Sequence, residues 1–170
     1  MDSVSNKTPL PRRVTLRAFR EEDAVALHPI FADARAMRYW STPPHADFAD
    51  TLAYVRATIA ATEAGRGDDQ VVLYEGQVIG KAGLWDNQEV GFIFSPAFWG
   101  MGLALEALGA VIERARHRGL GRIRAEADPR NGPSLRLLAR AGFVETGRAR
   151  ATMKVGDEWT DSVYLELTIG

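Results

Sequence analysis

The chain has 170 residues, a formal net charge of −1, 46% hydrophobic and 25% charged residues, and no cysteine. That length supports a sizeable core, and the balanced charge gives no broad basic face for a nucleic acid. Without cysteine there is no disulfide framework, thiolate metal site or cysteine nucleophile, and no metal is expected.

In chain order, residues 1–12 are polar, hold Pro9 and Pro11, and are expected to form a flexible tail. They have neither the apolar core of a signal peptide nor the length of a membrane span, so no membrane partner is expected and the expected location is cytoplasmic. Residues 13–170 are expected to form one domain. Residues 13–18 alternate and are predicted as a strand, followed by a helix opening near Arg20, Glu21, Glu22 and Asp23, where acids suit the positive end of the dipole. Residues 37–45 contain Pro43 and Pro44 and are predicted irregular. A helix is predicted over 47–64, with Leu52, Val55, Ile59 and Ala60 on one face.

Residues 70–74 and 77–84 are predicted as a hairpin about Glu75-Gly76, and Asp86-Asn87 turns the chain into a strand over 89–94. These strands are connected too tightly to be parallel. The helix over 102–118 carries Ala104, Ala107, Leu108, Val111, Ile112 and Ala115 as one apolar stripe and closes at Gly119. A strand over 122–127 and a short helix over 133–141 follow, then a long hairpin over 146–168 turning near Gly156-Asp157. The order β-α-α-β-β-β-α-β-α-β-β predicts an α+β fold: a mixed, mostly antiparallel sheet of six to seven strands with one central βαβ crossover.

The stretch from Phe92, Ile93 and Phe94 to Trp99, Gly100, Met101, Gly102, Leu103 and Ala104 carries the strongest chemical signal. A strand stops at Pro96, two glycines follow, and a helix begins with bare N–H groups at its positive end, which suits phosphate. Two readings compete. A dinucleotide site needs G-x-G-x-x-G and an acid on the next strand, for which Glu126 or Asp128 would serve. Leu105 stands at the third glycine, however, five residues from Ser95 to Trp99 precede the first, and no second nucleotide-binding half follows. The other reading is a cradle for the pyrophosphate of an acyl-CoA, held by backbone N–H groups between residues 98 and 104.

The element order, the glycine pair and Asn131-x-x-Ser134 together resemble the GNAT N-acetyltransferase superfamily, within it the Rim-type branch of ribosomal-protein N-terminal acetyltransferases. Leu16-Arg17, Glu89-Val90-Gly91-Phe92, the run from Trp99 to Ala107, Asn131-Gly132-Pro133-Ser134, Ala141-Gly142-Phe143 and Trp159-Thr160-Asp161-Ser162-Val163 carry the likeness. It implies an α/β/α layered fold in which the strands at 89–94 and 122–127 part in a V that admits the pantetheine arm of acetyl-CoA. It also implies direct attack by a primary amine, either a protein N-terminus or a small molecule, in a ternary complex. A homodimer is a habit of the family. The alternative is a GNAT-fold domain that binds CoA as a sensor or scaffold with little turnover.

Two departures bear on mechanism. Ala97 stands where many members have Gln or Arg, and Leu138 where many have a tyrosine that protonates the leaving thiolate. Ser134, one turn before Leu138, matches a serine proposed for that role in the Rim-type branch; its plain reading is a first-turn capping hydroxyl. Asn131 resembles the asparagine that bonds the pantetheine arm, or is an ordinary cap. The attacking amine must be neutral, so a base is useful. Glu89 is the leading candidate, unless an arginine pairs with it at the sheet edge; Asp161 is the second, and His45 a loop histidine in reach of the role. A backbone N–H near Phe94 would serve the developing oxyanion. Arg140 on the short helix could meet the ribose phosphate, while Arg136 reads as solvated surface. Residues 39–45, with Trp40 as a wall, are expected to border the acceptor pocket.

Overall fold

The computed structural model describes residues 11–170, apart from the side chain of Asn87. The expected tail falls outside the described residues up to position 10, and Arg12 reaches Glu113 at 3.0 Å. The elements are β1 (Val14–Ala18), α1 (Asp23–Phe31), α2 (Phe48–Glu63), β2 (Asp68–Tyr74), β3 (Gln77–Trp85), β4 (Glu89–Phe94), α3 (Leu103–His117), β5 (Arg122–Ala127), α4 (Gly132–Arg140), β6 (Val144–Val155) and β7 (Glu158–Thr168). They follow the predicted order, with short 3₁₀ turns before β4 and after it.

One seven-stranded sheet runs β1-β2-β3-β4-β5-β7-β6. Every neighbouring pair is antiparallel except β4 and β5. That exception follows from α3, which carries the chain from the end of β4 back to the start of β5. The predicted apolar stripe of α3 is buried through Ala107, Leu108, Val111 and Ala115 against Val72, Leu84, Val90 and Phe94. Each fully buried Leu or Val there contributes about 1.5–3 kcal/mol. The opposite face of the sheet carries a second core, in which Leu27, Ile30 and Phe31 of α1 and Val55 of α2 meet Val71 and Ile93. Helices on both faces make the three layers.

The inner face of α2 differs from the predicted stripe. Thr51, Val55 and Thr58 are buried, Leu52 and Ile59 are half-buried and Ala60 is exposed. The threonines can be buried because their hydroxyls are satisfied. Thr51 Oγ1 lies 2.8 Å from Nδ1 of both His28 and His45, and Thr58 donates to the Tyr54 carbonyl at 2.9 Å. Capping also matches chemistry: Asp47 and Asp50 form a reciprocal capping box at the start of α2. Arg17 grips the buried Asp23 through two bonds of 2.7 Å, which ties β1 to the first turn of α1.

The central strands barely touch. β4 and β5 share one register pair, Glu89 opposite Arg124, and then diverge. Both strands point their C-terminal ends into the resulting V, so the parting expected at 89–94 and 122–127 is present.

Candidate active site

A cavity of about 910 Å³ lies over this V. The backbone of β4 supplies one wall. Ser95 N–H bonds Ile79 O, which fixes Ile93 and Gly91 as the residues whose polar groups face β3. By alternation, the N–H and C=O groups of Phe92 and Phe94 face the V. Trp99, half-exposed, donates its indole N–H to Phe94 O at 3.0 Å. The Phe92 N–H and C=O and the Phe94 N–H remain directed at the V.

The glycine turn forms the next wall. Gly100 and Gly102 have φ of +76° and +79°, conformations that glycine adopts without strain. Phe98 and Trp99 spend their N–H groups inside the 3₁₀ turn, bonding Ser95 O and Pro96 O. From Gly100 to Leu105 the N–H groups find no partner among the described residues, and no side chain caps α3. The free run therefore starts and ends slightly later than expected from the sequence. Arg13 stabilises this arrangement from β1's leading edge. Its guanidinium bonds Glu106 at 2.7 Å and the Met101 carbonyl at 2.8 Å, drawing that oxygen away from the amides. Nothing in the sequence pattern singled out Arg13.

Across the V, Asn131 Oδ1 accepts from Ser134 N–H at 3.3 Å and caps α4. The capping is done by Asn131, so Ser134 supplies the amide and not the hydroxyl. The Ser134 hydroxyl makes no hydrogen bond among the described residues and lines the cavity, as do Asn131 and Leu138. Leu138, buried at the tyrosine position, belongs to the core. Arg140 and Met101 do not line the cavity; Arg140 is exposed on the last turn of α4.

Glu89 and Glu126 flank the V on the α1–α2 side of the sheet, the face that Ile93 shares with Glu89. Glu89 makes no ion pair among the described residues; Arg124, its register partner, points to Glu166 at 3.8 Å. Burial and the nearby Glu126 charge push the Glu89 carboxyl above the ordinary glutamate range. Glu126 accepts from Ser162 Oγ, which also bonds Thr152, so this carboxylate is held in place. In sequence Glu126 fits only the acid of a dinucleotide site; the Glu89–Arg124 pairing, which sequence does not reveal, is what brings it to the V. Asp161 lines the cavity but accepts from Ala151 N–H at 2.9 Å, fastening the irregular part of β6.

An acetyltransferase (GNAT) domain family matches residues 13–144, well over half of the chain. The chain belongs to that family. An uncharacterized N-acetyltransferase of Bacillus subtilis (strain 168) is 26% identical over 164 residues, covering 90% of this chain and 92% of that one. Among solved structures, an acetyl transferase of Salmonella typhimurium that modifies the N-terminal serine of ribosomal protein L7/L12 aligns with TM-score 0.86. Its identity is 18%, over 95% of this chain and 98% of that one. Spermidine N-acetyltransferase of Vibrio cholerae, in complex with CoA and spermine, gives TM-score 0.80 at 20% identity over 93% and 96%.

The irregular segment after α1 brings Tyr39 and Trp40 to the cavity. The Tyr39 ring lies 5.1 Å from the Arg38 guanidinium and 5.8 Å from that of Arg130. Arg130 is itself held by Asp128 and Glu158, each at 2.7 Å. The segment is thus tied across the mouth to the β5–α4 connection. His45 stays out of the cavity: it stacks on Phe31 at 4.9 Å and bonds Thr51, and burial lowers its pKa. Among the described residues no helix is long and apolar enough to cross a membrane.

Proposed function

We propose that residues 13–170 form one catalytic domain that transfers an acetyl group from acetyl-CoA to a primary amine. The observation that carries this is the run of unpartnered N–H groups from Gly100 to Leu105 beside the open edge of β4. The amides suit a pyrophosphate, and a positive-φ glycine with open space before it, as at Gly100, lets that group approach the backbone. No side-chain charge from Ala97 is needed. Phe92 N–H and C=O suit the amides of a pantetheine arm, which the Asn131 side chain meets from the other side of the V. Bound there, acetyl-CoA supplies a thioester carbonyl for attack.

The chain's own residues then act as follows. Phe94 N–H donates to the carbonyl oxygen. Glu89 takes a proton from the incoming ammonium, directly or through water, so that nitrogen has a lone pair to form the new C–N bond. Glu126 holds the ammonium beside it. As the C–S bond breaks, the Ser134 hydroxyl gives a proton to the departing sulfur and regains one, through water, from the nitrogen, which sheds its extra proton as the amide forms. Leu137, Leu138 and Phe92 keep the far side apolar. The acceptors of the two structural relatives, a protein N-terminal serine and spermidine, both present primary amines, which supports the class. Release of free thiol from acetyl-CoA tests the proposal, with a serine-led tetrapeptide, an alanine-led tetrapeptide and spermidine as acceptors. Amine-dependent release is expected. Tight CoA binding without release for any acceptor would overturn it in favour of a sensor.

A further inference from the structure

Lys81 is a wholly buried lysine at the centre of the sheet that acetyl transfer, as proposed, does not use. Its ammonium meets one carboxylate oxygen, Asp69 Oδ2 at 2.9 Å. The other oxygen, Asp69 Oδ1, and the neighbouring Tyr54 hydroxyl are both buried without a partner. As a device for stability this is poor, since apolar side chains of the same volume would avoid desolvating two charges. Its surroundings suggest a different purpose. The ammonium lies 5.0 Å from the centre of the Trp40 ring and 5.9 Å from that of Trp85. Both rings line the acceptor side of the cavity.

Trp40 also packs in part on the core beneath α1 and α2, so the ammonium is one of its two supports. Trp40 sits in an irregular segment and meets Phe31 edge-on at 5.9 Å, while Trp85 is 45% exposed at the end of β3. A cation shielded from water is strongly attracted to an indole face. Gly91 completes the fit. A Cβ there would stand 3.4 Å from both Lys81 Nζ and Trp85 Cδ1, so β4 passes directly over the ammonium beside the V.

We propose that Lys81 is a positioning residue whose buried ammonium holds Trp40 and Trp85 as walls of the acceptor cleft, setting which amines fit there. The inference rests on the acetyl-transfer reading only for its kinetic readout. Lys81→Met combined with Asp69→Asn removes both charges and keeps side-chain volume. The pair should raise KM for the fastest acceptor of the amine panel at least tenfold and leave KM for acetyl-CoA within twofold. The near-ultraviolet dichroism of the tryptophans should weaken as well. An unchanged acceptor KM in a folded double variant would overturn the proposal, as would a parallel rise in both KM values.

Trp40→Leu, at a half-buried position, covers the case in which the double variant does not fold. It should raise the same acceptor KM alone, and an unchanged value would again overturn the proposal. Wild-type protein that acetylates no amine sinks acetyl transfer without touching this inference. The dichroism then decides it, since an unaltered signal in the double variant means that Lys81 does not order the rings.

Discussion

In the proposed reaction the proton steps fall to Ser134 and Glu89. If the Ser134 hydroxyl protonates the sulfur, Ser134→Ala lowers kcat by about 100-fold, the lower range for a general acid, with KM for acetyl-CoA nearly unchanged. Steady-state kinetics with both substrates varied reads this split, and an unaltered kcat removes Ser134 from the chemistry. Glu89 has a pH signature with a definite sign. Burial and Glu126 favour its protonated form in the folded protein, so its pKa lies above the unfolded value. The ionised carboxylate therefore costs folding stability once pH exceeds that raised pKa, and costs nothing below the ordinary one. Glu89→Gln should leave the Tm at pH 7 unchanged or higher while kcat/KM falls about 100-fold. In the wild type, kcat/KM should fall as pH drops through the raised Glu89 pKa. A Glu89→Gln enzyme with the wild-type pH profile would show that another group is the base.

In the proposed reaction the glycine turn, braced by Arg13, is the element that binds acetyl-CoA. A side chain at Gly102 must take φ near +79°, which costs about 1–2 kcal/mol. Gly102→Ala is expected to raise KM for acetyl-CoA by roughly tenfold, the equivalent of 1.4 kcal/mol, and to leave KM for the acceptor alone. Arg13→Ala, which frees the Met101 carbonyl to turn, should act in the same direction. Equal effects on both substrates would argue for general loosening instead. This turn was legible in the sequence because glycine spacing and helix punctuation are local. The stripe of α3, the cap at Asn131 and the order of strands were legible for the same reason. The buried threonines of α2 were not, since their polarity hides an inward face that is tolerable only because Thr51 meets His28 and His45 and Thr58 meets the Tyr54 carbonyl. Glu126 and Lys81 escaped likewise: their meaning comes from partners on other strands, Ser162 in one case and Asp69 with Trp40 in the other.

For the whole molecule, the buried Lys81–Asp69 pair is the most exposed to single substitutions. Burial works to discharge the ammonium, while the Asp69 carboxylate and the Tyr54 hydroxyl act against it, and the balance keeps the Lys81 pKa above that of a free lysine. Lys81→Met alone leaves the buried Asp69 carboxyl, whose pKa burial already raises, without its partner, at a cost of about 3–5 kcal/mol. A domain of this size loses about 2–4 °C of Tm per kcal/mol, so calorimetry should show a fall on the order of 10 °C. Adding Asp69→Asn should restore most of it; no recovery would mean that the charge was not the cause. The single rung between Glu89 and Arg124 has a different consequence. The sheet is two half-sheets bridged by α3, and the backbone at Phe92 and Phe94 has no partner strand to shield it from solvent protons. These two amides should exchange with deuterium faster than Ile93, which is tied to β3, although all three lie in the middle of the molecule. Saturating acetyl-CoA should slow both, so the hydrogen-exchange rate of two backbone positions becomes a direct gauge of how much of the V is filled.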